Sequence, residues 1–135
     1  MIRNFKLSRK FWLKEFFSDA EWNKFQTFTP TKQCYIVSRI SLLIPVLQNV
    51  RDHFKRQTNV HDGVRYDDDK FHGMFVAADI SVAGVPHNRV QEFLKTKHPE
   101  IAIGSYDGHS HCDMRHIISL KWYNRSPARW HGISR

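Results

Sequence analysis

Two short segments carry the side chains best suited to chemistry: His72-Gly-Met-Phe-Val-Ala-Ala-Asp79 and His109-Ser-His111-Cys-Asp113. Together they offer two imidazoles and a carboxylate as metal ligands, with a further imidazole to spare; of His109 and His111, one can bind metal while the other approaches a substrate. Three protein ligands and a fourth position left for water is the pattern of a catalytic zinc site. Asp79 is the most telling of the set. It falls in the apolar stretch Phe75 to Val82, where an ionised carboxylate is costly unless it is paired or bound to metal. The alternative for Asp79 taken alone is a carboxylate satisfied by an arginine or by backbone donors. His72 stands a short loop earlier, so a loop followed by a strand can bring both side chains to one point. His109 and His111 alternate along a predicted strand and face the same side. Asp113 continues on that face, where it can accept the other ring proton of His111 and fix its tautomer. A His-x-His on a strand can equally be a solvated pair, and the chain has 9 histidines. The weight therefore lies on the two segments together. Cys112 should point away from His111 and serve packing rather than ligation.

The elements that must hold these residues follow from periodicity. Residues 8 to 28 read as short helices, the first capped by Ser8, with Phe11, Trp12, Phe16 and Phe17 at helical spacing. The second is capped by Ser18 or Asp19, with Trp22 and Phe25 on one face. Pro30 and Thr31 open a longer helix, whose Ile36, Ile40, Leu43, Leu47, Val50 and Phe54 recur at steps of three and four. Pro45 should kink or divide it. Gln57 to Arg65 reads as extended, with a turn or bulge at Asp62-Gly63, and Asp67 to Lys70 as a polar loop. Phe75 to Val82 is a predicted strand. Pro86 begins another helix with Val90, Phe93 and Leu94 inward. Ile101 to Gly104 and His111 to Trp122 read as further strands. This order predicts an α+β fold, N-terminal helices packed on a small, mainly antiparallel sheet, in a single domain over 1–135.

Composition narrows the classes. Hydrophobic residues make up 41% and aromatics 13% of the 135 residues, enough for a core without disulfides or a structural metal. A metal would thus be present for chemistry. The formal charge of +8 favours an acidic partner: nucleic acid, an anionic membrane surface or an acidic cell-wall polymer. Two cysteines, Cys34 and Cys112, make no disulfide framework and predict synthesis in a reducing compartment. The N-terminus lacks a secretory signal, and the longest apolar run, Leu42 to Leu47, is too short to span a bilayer. Synthesis in the cytoplasm, no membrane span and a monomeric state are the expectations.

The order His…Asp…His-x-His resembles the zinc D-alanyl-D-alanine carboxypeptidases and peptidoglycan endopeptidases, subfamily A of metallopeptidase family M-fifteen, within the LAS metallopeptidases. His72 to Ile80 is similar in spacing to that family's His-x-x-Gly-x-Ala-x-Asp motif, and His111-Cys-Asp113 to its His-x-Asp. Asp62-Gly-Val-Arg65 is similar to its Ser-Gly-Tyr-Arg strand end. Phe5 to Ser8, Val50 to Phe54 and Ala128 to Trp130 add weaker similarities. The resemblance implies a LAS, hedgehog/D,D-peptidase-like domain that hydrolyses peptide bonds in peptidoglycan stem peptides or cross-links. It implies one zinc per chain on His72, Asp79 and His111, with His109 assisting catalysis and Arg65 contacting substrate near the scissile bond. Such chemistry is sound, since zinc brings a bound water to a pKa of about 7. His109 can then take a proton or stabilise an oxyanion, and the planar fork of Arg65 suits a carbonyl or carboxylate. The small size and lack of a signal or wall-binding domain resemble lytic enzymes encoded by bacterial viruses, which act on the wall from the periplasm or the virion.

The sequence departs from that family at three places. Phe75 stands where the family has Gly, which predicts altered backbone packing near the metal. The loop Tyr66 to Phe71 is shorter, which predicts a more open cleft or a different cross-link. Gly108 occupies a position that is acidic in some relatives, with Asp107 just before it, so the catalytic base is open between His109 and Asp107. Two other functions compete. A magnesium-dependent nuclease or nucleic-acid-binding protein would use the charge and Asp67-Asp68-Asp69. It is disfavoured because no phosphate loop, Cys-His finger or RNA-binding aromatic signature is present. A catalytically silent wall-binding relative would account for Phe75 and the short loop.

Overall fold

The structure, a computed structural model, describes residues 2–123 and 125–132. Its N-terminal half is helical because the caps and apolar stripes are in place. Ser18 and Glu21 form a reciprocal capping box at α1 (Asp19–Phe25), with the Glu21 N–H donating to Ser18 Oγ at 3.2 Å. Thr29 caps α2 (Pro30–Ser41). Pro45 divides the predicted long helix: α2 stops at Ser41, and α3 (Ile44–Phe54) carries Pro45 in its first turn, where the missing N–H is no loss. The apolar stripe runs through the break, so Ile36, Ile40, Leu43, Leu47 and Val50 are all buried.

The first predicted helix is not formed. The chain from Lys6 to Trp12 closes an antiparallel bridge instead, followed by a single 3-10 turn at Leu13–Phe16. Ser8 caps nothing there; its hydroxyl donates to Gln48 of α3 at 2.6 Å. Phe11, Phe16 and Phe17 still reach the core, whereas Trp12 is exposed.

At its C-terminal end α3 stops on Lys55, whose φ of 55° lies in the left-handed region. A side chain costs about 1–2 kcal/mol in that conformation, and glycine avoids most of it. Lys55 is exposed, so Lys55→Gly should raise the unfolding free energy by about 1 kcal/mol. An unchanged or lower urea midpoint would contradict this.

Five strands form one sheet in the order β1-β2-β4-β3-β5. They are β1 (Thr58–Asp62), β2 (Ala77–Val82), β3 (Ala102–Tyr106), β4 (Ser110–Asp113) and β5 (Arg129–Gly132). All neighbours are antiparallel except β3 and β5. Helix α4 (His87–Lys97) connects β2 to β3 and packs on both. The result is α+β: N-terminal helices followed by a mixed, mostly antiparallel sheet. Ala78, Ile80 and Val82 of β2, Ile103 of β3 and Cys112 of β4 belong to the helix-covered core. Cys112 is fully buried with Sγ 3.7 Å from the Ala78 carbonyl. It is a packing residue, and burial pushes its thiol pKa up.

The strand predicted over His111 to Trp122 ends at Asp113. Two short helices follow, α5 (Arg115–Ile118) and α6 (Leu120–Tyr123). The cause is local: Asp113 Oδ1 accepts the Arg115 N–H at 3.1 Å, a turn that competes with continued extension. Among the described residues, no helix is long and apolar enough to cross a membrane.

Candidate metal centre

Strand register builds the site. Asp62, Asp79, His111, Gly104 and Trp130 are cross-strand partners in one row across the sheet, from β1 through β2, β4 and β3 to β5. Because side chains alternate, Asp79, His111 and Asp113 share the face opposite the helix-covered core. His61 reaches that face by alternation from Asn59, with its Nε2 2.5 Å from Ser81 Oγ, and a bulge between Val60 and Asp62 brings Asp62 onto it as well. At Gly104 a Cβ would come within 2.6 Å of the Trp130 indole. Glycine there lets Trp130 lie across the strand and reach His111, with ring centroids 5.1 Å apart.

His72 arrives from the loop before β2. Its Nδ1–H donates to the Gly63 carbonyl at 2.7 Å. A carbonyl only accepts, so the tautomer is set and Nε2 carries the lone pair. That lone pair faces Asp79 Oδ1 at 3.5 Å. Gly63 is itself required: a Cβ there would meet the Phe16 carbonyl at 2.7 Å. Phe75 has a φ of 66°, the region glycine favours. The chain thus keeps a glycine-like backbone where the family resemblance expects Gly, and the Phe75 ring packs against Tyr35 and Tyr66.

His111 stands between two carboxylates, with Nδ1 3.0 Å from Asp79 Oδ1 and Nε2 2.7 Å from Asp113 Oδ2. A neutral imidazole has one N–H and can serve only one of them. Asp113 is fully buried and fixed by Arg115, so it claims the proton at Nε2. The Nδ1 lone pair then joins those of His72 Nε2 and Asp79 Oδ1. Three such atoms, all within 4.8 Å of one another on buried residues, repel unless a cation or a proton lies among them. His72, Asp79 and His111 therefore form a buried group that could hold a metal ion.

Protonation fills that role in the metal-free protein. Burial pushes the Asp79 carboxyl up, but hydrogen bonds and charge from His111 and His72 outweigh it and hold the group well below the usual carboxylate range. Burial pushes His111 down, but Asp113 and Asp79 raise it above the ordinary imidazole value. Burial likewise opposes ionisation of Asp113, and Arg115 and His111 reverse the effect. The raised His111 stabilises the fold in full below its ordinary pKa of 6.5 and less as pH climbs through its folded value. The depressed Asp79 and Asp113 stabilise above 3.8 and lose that as pH falls. These groups favour the metal-free fold most between those two limits. A cation on Nδ1 must displace a proton, so zinc should stabilise more as pH rises. The melting-temperature gap between zinc-loaded and chelator-treated protein is expected to be wider at about pH 8 than at about pH 5.5. A gap that narrows with pH would count against this account.

The second oxygen of Asp79 belongs to Arg65, whose Nη2 donates to Oδ2 at 3.4 Å. The arginine partner considered for Asp79 is thus present, but it leaves Oδ1 to the imidazoles. Arg65 also donates through Nη1 to Asp68 at 3.3 Å and through Nε to Asp62. His109 lies just before β4, its Nε2 3.8 Å from Asp79 Oδ1. Its ring stacks on Tyr106 at 4.4 Å and 13°. Tyr106 is held in turn, because its hydroxyl accepts the Trp130 Nε1–H at 3.0 Å. Gln91 of α4 donates to the Tyr106 carbonyl at 3.2 Å. Burial lowers the His109 pKa, which favours a neutral, proton-accepting ring; Asp79 opposes and His111 adds to the lowering.

A cleft of about 1230 Å³ opens over the group, lined by Arg65, His72, Asp79, His109 and His111 among others. Asp107 is exposed at the β3–β4 bend and is not among the described residues that line it. His61, Tyr106, Arg115 and Trp122 do line it, and none is announced by a motif. Arg115 had one sequence signal, its place two residues beyond Asp113. No family model, curated protein or solved structure matches the chain.

Proposed function

We propose that the protein is a zinc peptidase that hydrolyses peptide bonds in the stem peptides or cross-links of bacterial peptidoglycan, related to the M-fifteen peptidases that its motifs resemble. The observation that carries this reading is the converging trio of lone pairs. His72 is locked by Gly63 and His111 by Asp113, and each presents its free ring nitrogen to the same oxygen of Asp79. Donors about 2.0–2.1 Å from one zinc stand about 3.4 Å apart around a tetrahedron. The 3.0 and 3.5 Å spacings about Asp79 Oδ1 fit that figure. Bound there, zinc would supply Lewis acidity and a water acidic enough to attack near neutral pH.

The chain's own residues do the rest. Three of the five N–H donors of Arg65 go to carboxylates, and two are left for the cleft. With Asp62, Asp68 and Asp79 alongside, that capacity suits an uncharged substrate carbonyl better than a carboxylate. His109, at the cleft wall, accepts a proton from the attacking water and returns it to the leaving amine. Tyr106 and Trp130 hold that ring in place. The net charge of +8 draws the protein to anionic wall polymers. We place its action at the cell wall, as a monomer, in the manner of a virus-encoded lytic enzyme. The nuclease reading has less support: Asp68 is already engaged by Arg65 and by the Lys70 N–H.

The test is digestion of purified cell walls by zinc-loaded protein. Loss of turbidity with new amino termini is expected, and its disappearance in His72→Ala and after chelation. Undiminished cleavage by His72→Ala would exclude the mechanism. Stoichiometric zinc without cleavage of any wall peptide would point to the silent wall-binding relative.

A further inference from the structure

Arg115 opens α5 and is the hub of the contacts behind the metal centre. Asp113 has no exposed surface, and its two oxygens receive four donors. Oδ1 accepts Arg115 Nε at 2.8 Å and the Arg115 backbone N–H at 3.1 Å. Oδ2 accepts Arg115 Nη2 at 2.7 Å and faces His111 Nε2 at 2.7 Å. The carboxylate cannot turn without breaking one of these bonds. The guanidinium is confined in its turn, 4.1 Å from the Phe71 ring centroid, 5.0 Å from that of Trp122 and 5.2 Å from that of Trp130. Phe71 immediately precedes His72, and Trp130 packs on His111. The segments that carry both imidazole ligands therefore meet at one guanidinium, together with the aromatic wall of the cleft.

We infer that Arg115 is a positioning residue for the metal centre: it fixes the plane of the Asp113 carboxylate and, through it, the ring of His111, so that Nδ1 is aimed at the ion. The inference rests on His72, Asp79 and His111 being a metal site. Partners one step behind a ligand commonly govern metal affinity by about 10- to 100-fold. Lysine cannot take over the role. It is a single point charge without the two-pronged fork, and it does not stack flat between rings.

The experiment measures zinc affinity by chelator competition, and the visible spectrum after cobalt substitution, for the wild type, Arg115→Lys, Asp113→Asn and the double variant. Arg115→Lys should bind zinc about 10- to 100-fold more weakly and shift the cobalt bands, which report ligand geometry. The double variant should lose little beyond Asp113→Asn alone, because both changes break one linkage. Wild-type affinity in Arg115→Lys, or losses that multiply in the double variant, would overturn the proposal. Should Arg115→Lys fail to fold, Asp113→Asn must still weaken zinc binding, and wild-type affinity there would overturn it equally. A wild-type protein that takes up neither zinc nor cobalt would instead remove the metal site, and the inference with it.

Discussion

Asp79→Asn is expected to abolish stoichiometric zinc and to reduce wall hydrolysis to background. The substitution preserves shape and removes charge, so it isolates what the carboxylate does. Oδ1 is the point on which His72, His111 and His109 converge, at 3.5, 3.0 and 3.8 Å. An amide there presents either a weaker, neutral acceptor or an N–H aimed at a cation. The other oxygen anchors Arg65, so the cleft wall loosens as well. Removing one partner from a buried charged group costs about 3–5 kcal/mol when the charge left behind is uncompensated. Here the raised His111 is left facing only Asp113, so the metal-free variant should also melt below the wild type. Metal content with chelator competition, wall digestion, and thermal unfolding in chelator read the three effects separately. Wild-type zinc affinity in Asp79→Asn would remove the carboxylate from the ligand set.

The site was legible in the sequence to the extent that its residues lie in short segments. His72 to Asp79 and His109 to Asp113 could be read as ligand-bearing because local spacing fixes which side chains share a face of a strand. Even the second partner of His111 was visible, since Asp113 sits two residues on. What spacing could not supply was register. The row that lines up Asp62, Asp79, His111, Gly104 and Trp130 joins five strands across the sheet, and its members are scattered over half the chain. Trp130 belongs to β5, which no alternation in Arg129-Trp-His-Gly132 announces. Asp62 joins the row through a bulge, because without the extra residue alternation from Val60 would turn it to the core face.

The helices show the same division. Pro45 and the stripe from Ile36 to Val50 were readable, because both act within a turn or two. The segment after Asp113 reads as strand because Ile118, Leu120 and Trp122 alternate. In the structure Ile117 and Leu120 are exposed, and what decides the backbone is the bond from the Arg115 N–H to Asp113. A buried carboxylate serving both His111 and Arg115 thus stops the strand as well as orienting the His111 ring. At Ser8 a longer-range bond to Gln48 takes a cap that local reading would spend on a helix.

On the proposed peptidase reading, His109→Ala should separate catalysis from metal binding and decide which group moves the proton. General acid–base groups contribute about 10²- to 10⁴-fold to rate, so kcat should fall by about that factor while zinc affinity stays near that of the wild type. The grounds are positional. His109 lines the cleft beside the ligand group, and its ring is stacked on Tyr106. Asp107, two residues away, is exposed at the bend and does not line the cleft. Asp107→Asn should therefore leave kcat within about twofold, since surface substitutions away from the chemistry have small effects. The pH profile adds an independent reading. The lowered pKa of His109 keeps the ring neutral to lower pH, so a proton-accepting His109 puts the acid limb of kcat below the ordinary imidazole value, and that limb should vanish in His109→Ala. The reverse pattern, a collapse of kcat in Asp107→Asn with His109→Ala near wild type, would assign the proton transfer to the carboxylate at the bend and require that bend to fold over the cleft when substrate binds.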